Sequence, residues 1–264
     1  MCLTISLIVS LALTANPFLA SAQNKTFVQP TGTKGMGTNV TNISIVLVHG
    51  AWAGAASWSK VIPILQNAGH KVIAVQLALH SLADDVATVK RAIDLLGGPT
   101  ILVGSSYGGE VITNAAYNNS KVKGLVYLRA FAPQEGQSIS SFFDPARLPK
   151  GSLIIDKGGF AYLNSSLFRG QDVDPVQVNI MAAVQTPINM SILAEKSGPP
   201  AWKQLPTWYA VSQDDHVIPP ALERMFAKQI NATTIAIPSS HASLVSHPTE
   251  IAQLILNATK EITK

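Results

Sequence analysis

Thr100-Ile101-Leu102-Val103-Gly104-Ser105-Ser106-Tyr107-Gly108-Gly109 reads as a strand that runs into a forced turn. Its first four residues are apolar or β-branched without a break, which suits a strand covered on both faces. Glycine then stands two residues before and two residues after Ser106. A chain reversing there between a strand and a helix brings its backbone too close for a side chain at Gly104 or Gly108. Ser106 is held in a strained conformation with its oxygen exposed. A Gly-x-Ser-x-Gly turn in that setting presents a serine nucleophile. The pattern is weak by itself, so its weight comes from the residues around it.

The rest of the chain keeps a matching rhythm. Ile43 to Val48 is a second apolar run, with Ser44 its one polar residue, followed by a helical stretch from Trp58 to Ala68 that Gly69 closes. Lys71 to Val75 reads as the next strand. Leu82, Val86, Val89, Ile93 and Leu96 recur at helical spacing until Gly97-Gly98-Pro99 stops them. A helix is expected over Tyr107 to Tyr117 and a strand over Val122 to Leu128. Thr207 to Val211 and Thr233 to Ile237 are later strands, each followed by a helix. Such alternation predicts an α/β fold: a mostly parallel central sheet, right-handed crossovers and helices on both faces. Residues 134–204 break the pattern, being rich in Pro, Gly, Ser and Asp with short apolar patches. A stretch that long is more than a connection, and it is expected to be a small cap inserted over the carboxyl ends of the strands.

The 264 residues are 47% hydrophobic and 13% charged, which supplies one large core and one domain, expected over residues 42–264. The net charge of +4 is modest, and Lys and Arg are scattered without a basic stripe, which argues against a nucleic-acid partner. Cys2 is the single cysteine, so an intrachain disulfide and a cysteine metal site are excluded. Cys2 to Leu13 is an uncharged, largely apolar run, followed by Ala20-Ser21-Ala22. Residues 1–22 therefore read as a signal peptide cut after Ala22 and too short for a stable membrane span, although its start lacks the usual Lys or Arg. The alternative is an uncleaved anchor. The expected location is secreted or periplasmic, with residues 23–41 as a flexible arm. Sequons begin at Asn24, Asn39, Asn42, Asn118, Asn164, Asn189, Asn231 and Asn257. They are glycosylation sites on a eukaryotic secretory route and a compositional habit in a bacterial exported protein.

A serine nucleophile needs a base, the base needs an orienting acid, and the reacting carbonyl needs two N–H donors for its oxyanion. His49-Gly50-Ala51-Trp52 ends the first strand, where Gly50 lets the backbone turn inward. The N–H of Ala51 is the expected first donor and that of Tyr107, the residue after the nucleophile, the second. Six histidines compete for the role of base. His49 belongs to the donor loop, His70 starts a strand, His80 lies in the following loop, His216 sits at a helix entrance, and His247 precedes Pro248. His241 remains, in Pro238-Ser239-Ser240-His241 just past the last strand, where a loop can swing the imidazole over the sheet edge. For the acid, Asp214 or Asp215 reaches the histidine and its neighbour caps the helix that begins near Pro219; Asp215 lies deeper and is favoured.

Residues 43–260 resemble the α/β-hydrolase superfamily, and more narrowly its small-cap, esterase-like branch. The resemblance is carried by Val46-Leu47-Val48-His49-Gly50-Ala51-Trp52, Ser81-Leu82-Ala83-Asp84-Asp85-Val86, Gly104-Ser105-Ser106-Tyr107-Gly108-Gly109, Asp215-His216-Val217-Ile218-Pro219 and Ser240-His241. That branch includes bacterial exported hydrolases and, more distantly, plant methyl esterases and hydroxynitrile lyases. The resemblance implies Ser106, Asp215 and His241 as the triad and Ala51 and Tyr107 as the oxyanion hole. The chain departs from its relatives at Ser105, where they usually carry His.

The implied chemistry is hydrolysis of small to medium apolar carboxylic esters or lactones through an acyl-enzyme, with a small-molecule substrate and no cofactor. Phe142, Phe143, Phe160, Tyr162, Phe168, Met181 and Trp202 bring large apolar groups to the cap, to line a pocket or to pack it down. Arg129, at the end of an apolar strand, meets an anionic substrate group or is solvated or ion-paired. Two alternatives stand beside the esterase: a hydroxynitrile lyase on the same triad, and a non-catalytic binding protein on a hydrolase fold.

Overall fold

A computed structural model of the protein describes residues 43–164 and 172–264. The expected leader, the arm, the sequons at Asn24, Asn39 and Asn42, and Phe168 lie outside the described residues. In chain order the strands are β1 Ser44–Val48, β2 Val72–Val75, β3 Thr100–Ser105, β4 Val122–Leu128, β5 Leu153–Ile155, β6 Phe160–Leu163, β7 Ile188–Asn189, β8 Thr207–Ser212 and β9 Thr233–Ile237. The helices are α1 Ile62–Asn67, α2 Leu82–Leu96, α3 Gly108–Ala115, α4 Pro175–Ala183, α5 Pro220–Gln229, α6 Ser243–Ser246 and α7 Pro248–Ile262.

Six strands form one sheet in the order β2-β1-β3-β4-β8-β9, and every pairing in it is parallel. All the carboxyl ends therefore meet at one rim. Period-two alternation splits the apolar side chains between two cores. Val46, Val48, Leu102, Leu125, Tyr127, Tyr209 and Val211 face one side, where Val89 and Ile93 of α2, Val111 and Ile112 of α3 and Phe226 of α5 cover them. Ile45, Leu47, Ile101, Val103, Val126, Leu128 and Trp208 face the other, under Leu65 of α1 and Ile251, Leu254 and Ile255 of α7. Each such buried side chain contributes about 1.5–3 kcal/mol, so the sheet that carries the rim is held by apolar packing on both faces.

Local chemistry sets the helix ends. The Ser81 hydroxyl accepts from Asp84 N–H at 3.1 Å to open α2, Asp84 and Asp85 sit in its first turn, and Gly97 at φ +71° closes it. The expected helix from Trp58 to Ala68 is two pieces, a 3-10 turn over Ala55–Trp58 and then α1, with Pro63 in the first turn of α1 where its missing N–H costs nothing. Between β4 and β8, residues 134–204 hold short 3-10 turns, α4 and an antiparallel sheet β5-β6-β7 that periodicity did not announce. Among the described residues no helix is long and apolar enough to cross a membrane.

Candidate active site

The turn after β3 has the strained geometry that its glycines suggest. Ser106 has φ +55°, and its side chain is half-buried. A methyl group at Gly104 would lie 2.5 Å from the Gly108 carbonyl oxygen, and one at Gly108 would lie 2.5 Å from that of Val48. Ser106 is locked from both sides: its N–H donates to Leu128 O at 3.3 Å, and its carbonyl accepts from Gly109 N–H at 3.0 Å and Phe131 N–H at 3.2 Å. A left-handed residue of this kind persists because the surroundings over-determine it.

The loop after β1 closes over the serine. A methyl group at Gly50 would stand 2.8 Å from Ser106 Cβ and 3.3 Å from its Oγ, so only glycine lets this backbone approach. Among the described residues the N–H groups of Ala51 and Tyr107 donate to no other group. His49 shapes the loop. Its Nδ1 donates to Gly50 O at 2.8 Å and its Nε2 accepts from Leu77 N–H at 2.9 Å, which fixes one neutral tautomer. Burial lowers its pKa to about 4 against the opposing effect of the Gly50 bond. Trp52, at φ +54°, anchors the far end of the loop through Nε1 to Ala161 O in β6 at 3.0 Å.

At the ends of β8 and β9 the structure brings Asp215 and His241 together. His241 Nδ1 and Asp215 Oδ2 are 2.5 Å apart, with the carboxylate fully buried and the imidazole 24% exposed. Asp215 Oδ1 accepts from Val217 N–H at 2.7 Å and Ile218 N–H at 2.9 Å. Burial by itself would raise the pKa of Asp215, but the His241 ring and these donors outweigh it and hold the carboxyl below its usual value. Burial likewise lowers the pKa of His241 despite its aspartate. Asp214 is exposed, and α5 starts at Pro220 without a side-chain cap, so neither aspartate caps that helix. Among the described residues the Ser106 hydroxyl makes no hydrogen bond, to His241 or to any other group.

Several buried polar groups surround these residues. Glu223 of α5 accepts Ser212 N–H at 3.0 Å through Oε2, while among the described residues its Oε1 has no hydrogen-bond partner. Burial, and then the Asp215 charge, push its pKa up to about 9, so it is neutral at pH 7 and leaves the negative charge to Asp215. Asp172, just ahead of α4, accepts Ser240 N–H at 3.0 Å and Ser246 Oγ–H at 2.7 Å, tying the insert to the histidine loop. Tyr107 donates its hydroxyl to buried Asp85 at 2.9 Å beneath the turn. Arg129 is not solvated: it is 5% exposed and donates to the hydroxyls of Ser105 and Ser243. Sequence gave no sign of these contacts, because each joins residues far apart in the chain.

The other expected residues are scattered. His70 Nδ1 lies 2.9 Å from Ile43 O, His80 packs its ring against the edge-on ring of Phe160, His216 is exposed, and His247 Nδ1 is 2.9 Å from Ser246 Oγ. Phe142, Phe143 and Trp202 pack on the main core, Met181 packs beside Ala242 and Val245, and Tyr162 is exposed. Of the sequon asparagines, Asn118, Asn231 and Asn257 are exposed.

A parallel sheet with this serine turn, a glycine loop over it and an Asp–His pair at the same rim defines a class, and the chain belongs to the Alpha/beta hydrolase family, whose profile matches residues 45–254. It is 29% identical over 248 residues to the pyrethroid hydrolase of Sphingobium wenxiniae, covering 82% of this chain and 87% of that one. It is 29% identical over 238 residues to the carbendazim hydrolyzing esterase of a Nocardioides species, covering 80% and 97%. Among solved structures it is similar in fold to an extracellular alpha/beta-hydrolase from a Paenibacillus species, with TM-score 0.71, 23% identity and coverage of 82% and 98%.

Proposed function

We propose that this protein is a carboxylic ester hydrolase in which Ser106 is the nucleophile, His241 the base and Asp215 the orienting acid. The observation that carries the reading is the Asp215–His241 hydrogen bond, 2.5 Å long, set on the rim from which strained Ser106 leaves β3. His241 Nε2 removes the Ser106 proton as Oγ attacks the ester carbonyl, while Asp215 holds the proton on Nδ1. The N–H groups of Ala51 and Tyr107 receive the developing oxyanion, each contributing about 3 kcal/mol. The imidazolium returns its proton to the leaving alcohol. Water, deprotonated by the same ring, then splits the acyl-enzyme and frees the acid.

The substrates are small to medium apolar esters or lactones. Two relatives, a pyrethroid hydrolase and a carbendazim hydrolyzing esterase, support that range. Phe142, Phe143 and Trp202 add apolar bulk from the insert. A lyase that releases cyanide needs a cation beside the base. Ala242, Ser243 and Leu244 supply none, and the guanidinium of Arg129 is engaged by two serines. The protein works outside the cytoplasm, exported by residues 1–22; amino-terminal sequencing of the mature form should begin at Gln23.

A fluorophosphonate probe tests the nucleophile. Wild type should label and Ser106→Ala should not. A panel of short and long acyl esters, with mandelonitrile added, sorts esterase from lyase. A wild type that resists the probe and leaves every ester intact would falsify the assignment.

A further inference from the structure

We propose that Arg129 is a positioning residue that ties the nucleophile turn to the histidine loop. The proposal rests on the esterase reading above and names a part of that machinery outside the triad. Arg129 directly follows β4, has φ +40° and donates its backbone N–H to Ala210 O at 2.9 Å. From this fixed point Nη1 donates to Ser105 Oγ at 2.9 Å and Nε donates to Ser243 Oγ at 3.0 Å. Ser105 immediately precedes Ser106, and Ser243 lies two residues past His241. Both serines are buried, at 2% and 1% exposure. One planar group therefore touches the two segments whose spacing decides whether the serine proton can reach the base. The guanidinium offers several donors in a rigid plane, whereas lysine offers a single flexible nitrogen.

Burying that charge carries a large desolvation penalty, and an apolar side chain of similar volume would pack more cheaply. The carboxylates around it explain how the charge is tolerated. Burial lowers the pKa of Arg129 to about 10, with the charge of Asp215 the largest opposing effect and Asp172 adding to it, so it stays cationic at neutral pH; Glu223, neutral at pH 7, adds its charge only at higher pH. The groups that face His241 come from four elements: Asp215 from the loop after β8, Arg129 from the end of β4, Glu223 of α5 against Asp215, and Asp172 against the Ser240 N–H. Among these, the Arg129 charge disfavours the imidazolium and keeps His241 a neutral proton acceptor to lower pH. The small hydroxyl of Ser105 accepts one of the two bonds from Arg129.

The test compares Arg129→Met, Arg129→Lys, Ser105→Ala and Ser243→Ala with wild type on a p-nitrophenyl ester, following kcat, KM and the pH profile. Arg129→Met should lower kcat by about 10–100-fold with KM within about twofold, the pattern of a displaced catalytic group. It should also move the acid limb of kcat/KM up by about half a unit or more, because the repelling charge has gone. Arg129→Lys should lose kcat with the acid limb in place. Full kcat in Arg129→Met, or a loss with no movement of the acid limb and none of this contrast with lysine, overturns the proposal. Where the arginine variants do not fold, the serine variants decide: each should lose kcat about fivefold or more through its missing bond, and wild-type kcat in both rejects the tie. If wild type itself hydrolyses no ester, the esterase reading has failed; if only these variants behave as wild type, the tie alone has failed.

Discussion

Replacing the carboxylate of Asp215 by an amide changes one atom and has a calculable result. Oδ1 accepts two backbone N–H groups, from Val217 and Ile218, and Oδ2 faces the His241 Nδ1 at 2.5 Å. In Asp215→Asn the amide oxygen stays on the two backbone donors. Reversing it would set an NH₂ against them and forfeit two hydrogen bonds, at about 1–3 kcal/mol each. The NH₂ then points at His241 Nδ1, which must become an acceptor, and the ring proton shifts to Nε2. In the proposed mechanism that is the atom that takes the proton from Ser106. The expected fall in kcat is about 10⁴-fold, or about 5 kcal/mol in the barrier. Steady-state kcat on a p-nitrophenyl ester measures it, with circular dichroism and a urea titration confirming the fold. A folded Asp215→Asn enzyme within tenfold of wild type refutes the reasoning, and Asp214→Asn, at an exposed site, should match wild type.

Three further outcomes are expected. His49 is neutral in the fold, and its pKa is lowered from 6.5 to about 4; a group depressed in this way loses stability as pH falls. Its contribution of about 3 kcal/mol is complete above pH 6.5 and disappears towards pH 4, and urea midpoints for wild type and the non-titrating His49→Gln should show that difference in slope. Gly50→Ala places a methyl group 2.8 Å from Ser106 Cβ, so the loop must shift and kcat should fall about 10²-fold, with urea unfolding near that of wild type. Asp172→Ala removes the acceptor of Ser240 N–H and Ser246 Oγ–H. A urea titration should read about 2 kcal/mol of lost stability, with kcat lowered because the loop carrying His241 is loosened.

The sheet was legible because its signals are local. Predominantly apolar runs such as Ile43 to Val48 and Leu125 to Leu128 mark strands buried on both faces, and Gly97 marks the end of α2 through its left-handed backbone. The serine turn was legible for a related reason: Gly104 and Gly108 are demanded by close backbone approach, which leaves a mark in the residue type itself. The strands β5, β6 and β7 were not, since segments of three, four and two residues are too short to show an alternating period. The break between Trp58 and Ile62 was missed because both pieces bury apolar residues at near-helical spacing. The hydrogen bonds of Arg129 were not legible because its partners, Ser105 and Ser243, are 24 and 114 positions away, and no local pattern encodes that meeting. The Glu223 oxygen without a hydrogen-bond partner among the described residues was equally invisible, since a glutamate in a first helical turn normally faces solvent.

The parallel register acts as a ruler laid across the rim. Val48 stands opposite Gly104, Gly104 opposite Tyr127, Tyr127 opposite Tyr209, and Tyr209 opposite Thr234. Heights along that edge are thus set by inter-strand pairing and are indifferent to how much polypeptide travels between one strand and the next. Evolution can lengthen, shorten or replace the excursion between β4 and β8 without displacing Ser106 relative to Gly50. A single residue inserted within β1 or β3 would instead slip one side of the rim against the other and turn inward-facing side chains outward. Variation in what the enzyme accepts is therefore free to accumulate in the connections, while the strands stay tied to one spacing.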